Sequence, residues 1–585
     1  MATVPAGAVR PVTLGLGRLQ AALGRNAMAC VVLAVVGLVV GAPIAAALVM
    51  SLHPGLAGNL GGTTAANFVT AYTDVALPGV IWNTVLFAAG TTLVTLVFAV
   101  PLVWLVNRTD MPGKELVLSL TIASLLVPVF LGAMGWMLLL SPEIGLANLA
   151  AKAVFGLSKP PFSIYNIGGM AWVQGLSLVP GSFFMLSAAV AAMDPAMEEA
   201  SHTSGVGRLR TLLRINVPLA WPALAAVMVY VFMLAVSLFE TPAIIGWPAR
   251  IFTLSSLIYF AVAPQTGLPS YGLAGAYAVM MIVLGLVLAL CYFRIIRHGR
   301  KYAVITGRGY RPRLTKLGRW KTPALGFVAL YGVVALLVPV VCLLWVSILP
   351  RIEVPSREAF AHLTLANYTD IPQYVGLQPF VNTALLIVTA PTLAIVLSLA
   401  VSWVVIRQRF ALRGALDSLA FLPHAVPHIV FAAALAFLAL VYRRFIPIYG
   451  SLTIIIVAHA IAYLAYGSRT LNSAMIQIHR ELEESGRVCG SSATRVLRRI
   501  LVPLIATAVF NAWLFIALLS YREVTMALLL RSSTNTVLSV LVWNLWNTGK
   551  TSEVGALGVL LMAVSLTLAW LARGTFVRLL GSSES

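Results

Sequence analysis

The sequence predicts an all-α integral membrane protein, with twelve transmembrane helices arranged as two parallel six-helix repeats. Three observations support that class. Of 585 residues, 60% are hydrophobic and 10% charged, and the mean hydropathy is +0.95. Water-soluble domains carry about a quarter charged residues. The apolar residues fall into runs of about 20, the length of a membrane-crossing helix rather than of a barrel strand. Finally, one polar pattern occurs twice, opening at Glu199 and again at Glu484.

The apolar runs place spans near 28–50, 82–106, 116–140, 168–193, 221–243, 274–296, 323–349, 382–406, 416–442, 450–474, 504–528 and 554–577. Residues 1–27 hold Arg10, Arg18 and Arg25 and no acid, and the apolar stretch from Met28 to Met50 exceeds a signal-peptide core. An uncleaved first span follows. With the N-terminus cytoplasmic, most of the 39 Lys and Arg fall in the cytosolic segments, as the positive-inside rule requires. Arg443 and Arg444, on the outside, are the clearest exception. The location expected is the inner (plasma) membrane, multi-pass.

Net charge is +21. The positive-inside rule accounts for it; binding nucleic acid would need a basic soluble domain, and none is long enough. From Arg294 to Lys321 there are ten basic residues and no acid. This segment reads as a linker between fused halves, with contact to anionic membrane lipids as the other reading. Cys30, Cys291, Cys342 and Cys489 are scattered and give neither a disulfide framework nor a metal-ligand spacing. The domain organisation expected is 1–80 (tail, first helix and external loop), 81–296 (first half), 297–322 (basic linker), 323–378 (seventh helix and external loop), 379–577 (second half) and 578–585 (C-terminal tail).

The repeat extends through both halves. Asn83-Thr84, Trp104, Arg108 and Pro128 recur in the second half, at one constant offset, as Asn382-Thr383, Trp403, Arg407 and Pro427. Leu186 matches Leu471 at the slightly shorter offset of the polar pattern, and Ser237 and Glu240 match Ser520 and Glu523 at one shorter still. A few deletions relate the halves. Six spans in each make the repeats parallel.

The polar pattern lies in residues 194–220 (loop one) and 479–505 (loop two). Loop one reads Glu199, Ala200, Ser201, then Gly205, Ile215 and Pro218. Loop two reads Glu484, Ser485, Gly486, then Gly490, Ile500 and Pro503. Asp194-Pro195 has the chemistry of a cap followed by proline in the first turn. Glu198 and Glu199 lie where the helix dipole favours acids. Gly205 permits a sharp bend, and Pro218 starts the next span. A short helix, a bend and a second helix are expected, presenting small residues beside a glutamate to an approaching partner. An ordinary interfacial helix duplicated with its half would read the same way.

At these residues the chain resembles the permease subunits of ABC importers of the type I fold. Their hallmark is a cytoplasmic loop reading glutamate-alanine-alanine, three residues, glycine, nine residues, then isoleucine-x-leucine-proline. Ser201, Ser485 and Gly486 depart from the alanines, and Val217 and Val502 from the leucine. The resemblance covers nearly all of the chain as two fused permease domains. It implies that Glu199, Ala200, Gly205, Ile215 and Pro218, and Glu484, Ser485, Gly490, Ile500 and Pro503, dock two ABC ATP-binding subunits. It also implies an extracytoplasmic solute-binding protein that delivers cargo.

The only Gly-Lys-Ser/Thr is Gly549-Lys550-Thr551, and Asn544 stands where a P-loop needs its first glycine. ATP hydrolysis is therefore expected on separate subunits, and neither a catalytic residue nor a cofactor is expected here. Ionisable residues inside the membrane are costly and usually face the bundle interior or a wet cavity. The translocation-pathway candidates are Glu240, Glu523, Arg522, His424 and His428. As an i,i+1 neighbour, Arg522 is expected to face away from Glu523. His424 and His428, four apart on one predicted span, are expected on one face beside Pro423 and Pro427; His459 lies on the next. Two histidines so spaced could touch a metal, but polar filling of a wet cavity is the preferred reading and no metal site is assigned.

Around Glu240 and Glu523 the stretches Phe239–Pro242 and Arg522–Thr525, and later Val537–Leu541, resemble fused ferric-iron importer permeases. Ferric iron is therefore the leading cargo. Related permeases for polyamines, thiamine, phosphonates or sulfate are alternatives, and an ion-coupled 6+6 secondary transporter is the rival class.

Overall fold

A computed structural model describes residues 13–581, apart from 55–61, 192, 194–196, 198–200, 202, 265 and 300–313. The described residues are mainly helical. Among the described residues the one β contact is an isolated parallel bridge between Thr109 and Thr315. Among the described residues eight helices are long and apolar enough to cross a membrane, and five further pairs do so together across a sharp bend, giving up to 13 candidate spans. Each of the twelve expected spans coincides with one of these helices or pairs. The thirteenth candidate is Pro242–Ala249 with Leu254–Val262, bent by 88°. Pro242, Gly246, Pro248 and Arg250 interrupt its apolar run, so hydropathy alone passes over it.

Large apolar side chains cover the outside as well as the core. Leu38, Leu93 and Trp570 are 70%, 65% and 71% exposed on span helices. A water-soluble protein rarely shows so much apolar surface. The chain is a multi-pass membrane protein.

Proline sets two of the bends at repeated positions. Lys114–Leu126 meets Val129–Leu140 at 93°, and Arg413–Ala425 meets His428–Val441 at 105°. Pro128 and Pro427 stand at the starts of the second helices with φ/ψ of −57/137° and −55/136°. Proline has no N–H for the preceding turn and disfavours α geometry in the residue before it.

The helices gather into two compact units. One contains Met1–Ala45, Pro391–His424 and Ala460–Ile516. Here Trp403, Leu471, Met475, Leu501 and Ile505 form a buried cluster. A Cβ on Gly467 would lie 2.3 Å from Ser398 Oγ, so glycine lets the two helices close up. Without a hydrophobic drive between helices in lipid, such close packing and interhelical hydrogen bonds do the work. Ser402 Oγ, for example, donates to the Ser468 carbonyl at 3.2 Å.

The other unit contains Ala46–Ala390, Ala425–His459 and Ala517–Ser585. Leu77–Arg108 packs on Ile167–Ala191 by the same means: a Cβ on Gly175 would lie 2.5 Å from Val94 Cβ, and Thr95 Oγ1 donates to the Gly175 carbonyl at 2.9 Å. The helix 318–347 lies against first-half segments, with Tyr331 hydroxyl 2.7 Å from Ser124 Oγ and Phe327 stacked on Phe98. The repeated Asn-Thr pairs are tethers. Asn83 Nδ2 donates to the Phe252 carbonyl at 3.3 Å, and Thr84 Oγ1 accepts from the Leu254 amide at 3.0 Å. Asn382 Nδ2 donates to the Thr534 and Thr536 carbonyls at 3.1 and 2.9 Å, and Thr383 Oγ1 accepts from the Leu538 amide at 2.8 Å.

Candidate functional site

The two loops are built on one backbone plan. Gly205 and Gly490 both take left-handed φ, at +73° and +76°, which costs glycine no Cβ strain. The Val206 amide donates to the Ser201 carbonyl at 3.1 Å; at the matching positions of loop two, the Ser491 amide donates to the Gly486 carbonyl at 3.1 Å. Thr211 and Val496 amides close the next turn onto the Gly207 and Ser492 carbonyls, each at 3.0 Å. Both loops then pass through a π-helical turn, Leu212–Asn216 and Leu497–Leu501, before Pro218 and Pro503 begin the next helices. π turns are rare and concentrate at functional sites. Ile215 and Ile500 lie on these turns, half-buried.

Side chains close the two bends differently. In loop one, Ser201 Oγ and Thr211 Oγ1 share a buried 2.8 Å hydrogen bond. In loop two the matching residues are Gly486 and Val496, and a Cβ on Gly486 would meet Val496 Cγ2 at 3.2 Å and Ile500 Cδ1 at 2.7 Å. The departures from alanine at these positions thus belong to two packing solutions. Asp194, Pro195, Glu198, Glu199 and Ala200 lie outside the described residues.

In loop two, Glu481–Val488 forms the first helix. Glu484 and Ser485 are exposed. The neighbouring Glu483, which sequence reasoning did not single out, points inward. Its Oε1 lies 3.0 Å from Arg407 Nε, with the two side chains 7% and 3% exposed. Arg407 Nη2 also donates to the Met475 and Ile478 carbonyls. Arg108 repeats the arrangement in loop one, donating to the Val190 and Met193 carbonyls at 2.9 Å each. The signal for these residues was present in the repeated arginine.

The second candidate site is a buried carboxylate. Glu523 follows the helix Ala506–Arg522, and its side chain turns back over the start of Thr525–Leu529. Oε1 and Oε2 accept from the Met526 amide at 2.8 and 3.0 Å, satisfying donors that a helix start leaves open. His459 Nε2 lies 3.4 Å from Oε2, and His428 Nδ1 lies 3.8 Å from Oε1. His459 Nδ1 sits 2.7 Å from the Ile455 carbonyl. A carbonyl only accepts, so Nδ1 carries the hydrogen and a neutral ring would turn a lone pair toward the carboxylate. Nε2 is therefore the ring nitrogen that faces the Glu523 carboxylate.

The expectation that His424 and His428 share a helix face is corrected by the structure. The 105° bend at Val426-Pro427 separates them. His424 instead contacts the Phe421 ring at 5.6 Å between centroids. Arg522 turns to the Leu125 carbonyl. Glu240 is half-buried. Beside it, Thr241 Oγ1 donates to Gln174 Oε1 at 2.6 Å. By the offset that relates the two loops, Gln174 is the counterpart of His459, so the first half carries a neutral amide where the second carries imidazole. Among the described residues no three His, Cys, Asp or Glu are grouped to hold a metal ion.

No family model matches the chain. A putative ferric transport system permease protein of Haemophilus influenzae is 25% identical over 426 residues, 72% of this chain and 64% of the relative. The ferric transport system permease protein of Actinobacillus pleuropneumoniae is 25% identical over 501 residues, 83% of this chain and 69% of the relative. This chain is similar to ferric transport system permeases. It spans about two thirds of the length of these relatives, and a match of 501 residues runs through both of its repeats. A solved bacterial alginate ABC transporter, in complex with an alginate pentasaccharide-bound periplasmic protein, aligns with a TM-score of 0.38 at 18% identity, over 49% of this chain and 100% of that one.

Proposed function

We propose that this chain is the permease subunit of an ATP-driven ABC importer in the inner membrane, with its N-terminus and both loops on the cytosolic face. Two ATP-binding subunits dock there, one on each loop, and an extracytoplasmic binding protein delivers the cargo. The observation that supports this best is that loops one and two repeat one geometry, down to the left-handed glycine, the backbone hydrogen bonds and the π turn. Two copies of one surface suit two copies of one partner. The chain itself hydrolyses nothing; closure of the ATP-binding subunits rocks the halves and alternates access to the interior.

Ferric iron is the proposed cargo, supported by the names of the relatives and by the acidic residues Glu240 and Glu523 at matching positions of the two halves. Reconstitution in proteoliposomes with the ATP-binding subunits and the binding protein tests the reading. Uptake of ferric iron should require ATP and both partners. Uptake driven by an ion gradient through the chain alone would replace this reading with a secondary transporter. ATP-dependent uptake of a polyamine, thiamine, a phosphonate or sulfate would keep the class and change the cargo.

A further inference from the structure

We propose that Arg407 and its counterpart Arg108 are positioning residues that couple each loop to the membrane helices: each ties the helix feeding a loop to the end of the second helix of its repeat. The proposal rests on the loops being the ATPase-docking surfaces.

Arg407 ends the helix Gln378–Arg407, where the helix dipole favours a cation. Its guanidinium reaches the carbonyls of Met475 and Ile478, where the helix Leu464–Ile476 ends and the chain enters loop two. Carbonyls at a helix end lack intrahelical donors, so the arginine caps one helix from the end of another. Its Nε meets Glu483, on the first helix of the loop itself. One planar group thus joins three segments at a buried point. Glu483 faces inward at this joint, while Glu484 beside it is exposed for a partner.

Arg108 ends Leu77–Arg108 and caps Val190 and Met193, the first-half counterparts of Met475 and Ile478. In the same alignment Glu198 corresponds to Glu483 and lies outside the described residues. A loop held this way cannot move without carrying two helix ends with it. Lysine, a single flexible ammonium, cannot bond two carbonyls and pair with a carboxylate in one fixed plane as a guanidinium does.

The test uses the full chain with its ATP-binding subunits in proteoliposomes, with the four native cysteines replaced by serine. Spin labels at Val75→Cys and Leu377→Cys, both exposed, report on the ends of Leu77–Arg108 and Gln378–Arg407 remote from the loops. Trapping with ATP and vanadate should shift the distance between the labels in the parent. In Arg407→Ala the shift should be lost, while the ATP-binding subunits still co-purify and still hydrolyse ATP. Arg407→Lys, which keeps the charge, should show a reduced shift and covers the case in which the alanine variant does not fold. An unchanged shift in both variants, or no shift in the parent, overturns the proposal. So does loss of co-purification in proportion to the shift, which marks a collapsed loop. A parent chain that retrieves no ATP-binding subunit at all overturns the functional reading first, before any variant is made.

Discussion

Ser201 and Thr211 hold loop one closed through a buried 2.8 Å hydroxyl contact, at the place where loop two sets Gly486 against Val496. The backbone frames match, so the side-chain pairs are alternative ways of closing one bend. Ser201→Ala and Thr211→Val should each destabilise by about 1 kcal/mol, the net worth of a typical hydrogen bond. The double variant should cost less than their sum, because either change alone breaks the shared bond. Gly486→Ala should be mild: the added Cβ meets the far end of Ile500, which can rotate aside. Thermal unfolding of the detergent-solubilised chain measures all four.

Glu523 has two separable roles. Its carboxylate caps the Met526 amide, and its Oε2 faces His459 Nε2 at 3.4 Å. Glu523→Gln keeps an acceptor for the Met526 amide and a polar amide facing His459 Nε2, so the melting temperature should stay close to the parent. Glu523→Ala strands both partners and should cost about 1–3 kcal/mol, the penalty for buried polar groups left unpaired. If the interior charge serves the pathway, uptake should fall in the glutamine variant while stability is kept. Equal uptake in parent and glutamine variant would restrict Glu523 to a structural role.

Asp110, between the span helices Leu77–Arg108 and Lys114–Leu126, anchors the segment that leads into Lys321–Gly332. Its Oδ1 accepts from the Leu317 amide at 2.7 Å and its Oδ2 pairs with Lys321 Nζ at 3.0 Å. The Leu317 amide first, and then Lys321, hold the carboxyl below its usual range. A depressed folded-state value means that the stabilisation is complete above the unfolded value of about 3.9 and is lost as pH falls through the folded one. Hydrogen exchange at Leu317, corrected for intrinsic rates, should stay slow at neutral pH and accelerate only in acid. Asp110→Asn should speed it at neutral pH. An acid transition of the same size in Asp110→Asn would rule out this carboxyl as its source.

Much of the architecture was legible because duplication wrote it twice. The recurrence of Asn83-Thr84 as Asn382-Thr383 marked equivalent positions, which fold into matching tethers, and Gly205 and Gly490 announced matching bends. What sequence could not give was direction. Glu483 and Glu484 are adjacent on a helix of only two turns, Glu481–Val488, too short for a periodic pattern to say which one faces in. Pro427 was visible, but the 105° bend that parts His424 from His428 depends on what packs around it. Glu523 and His459 lie far apart along the chain, and only folding brings them together.

The claim that the two loops are docking surfaces is tested most directly by reversing charge on both. Glu484 is exposed, and Glu199 is its counterpart in loop one. In Glu199→Arg/Glu484→Arg, expressed with its ATP-binding subunits, co-purification of those subunits should be lost while the permease remains monodisperse. Retrieval at the level of the parent, with uptake undiminished, would contradict the account.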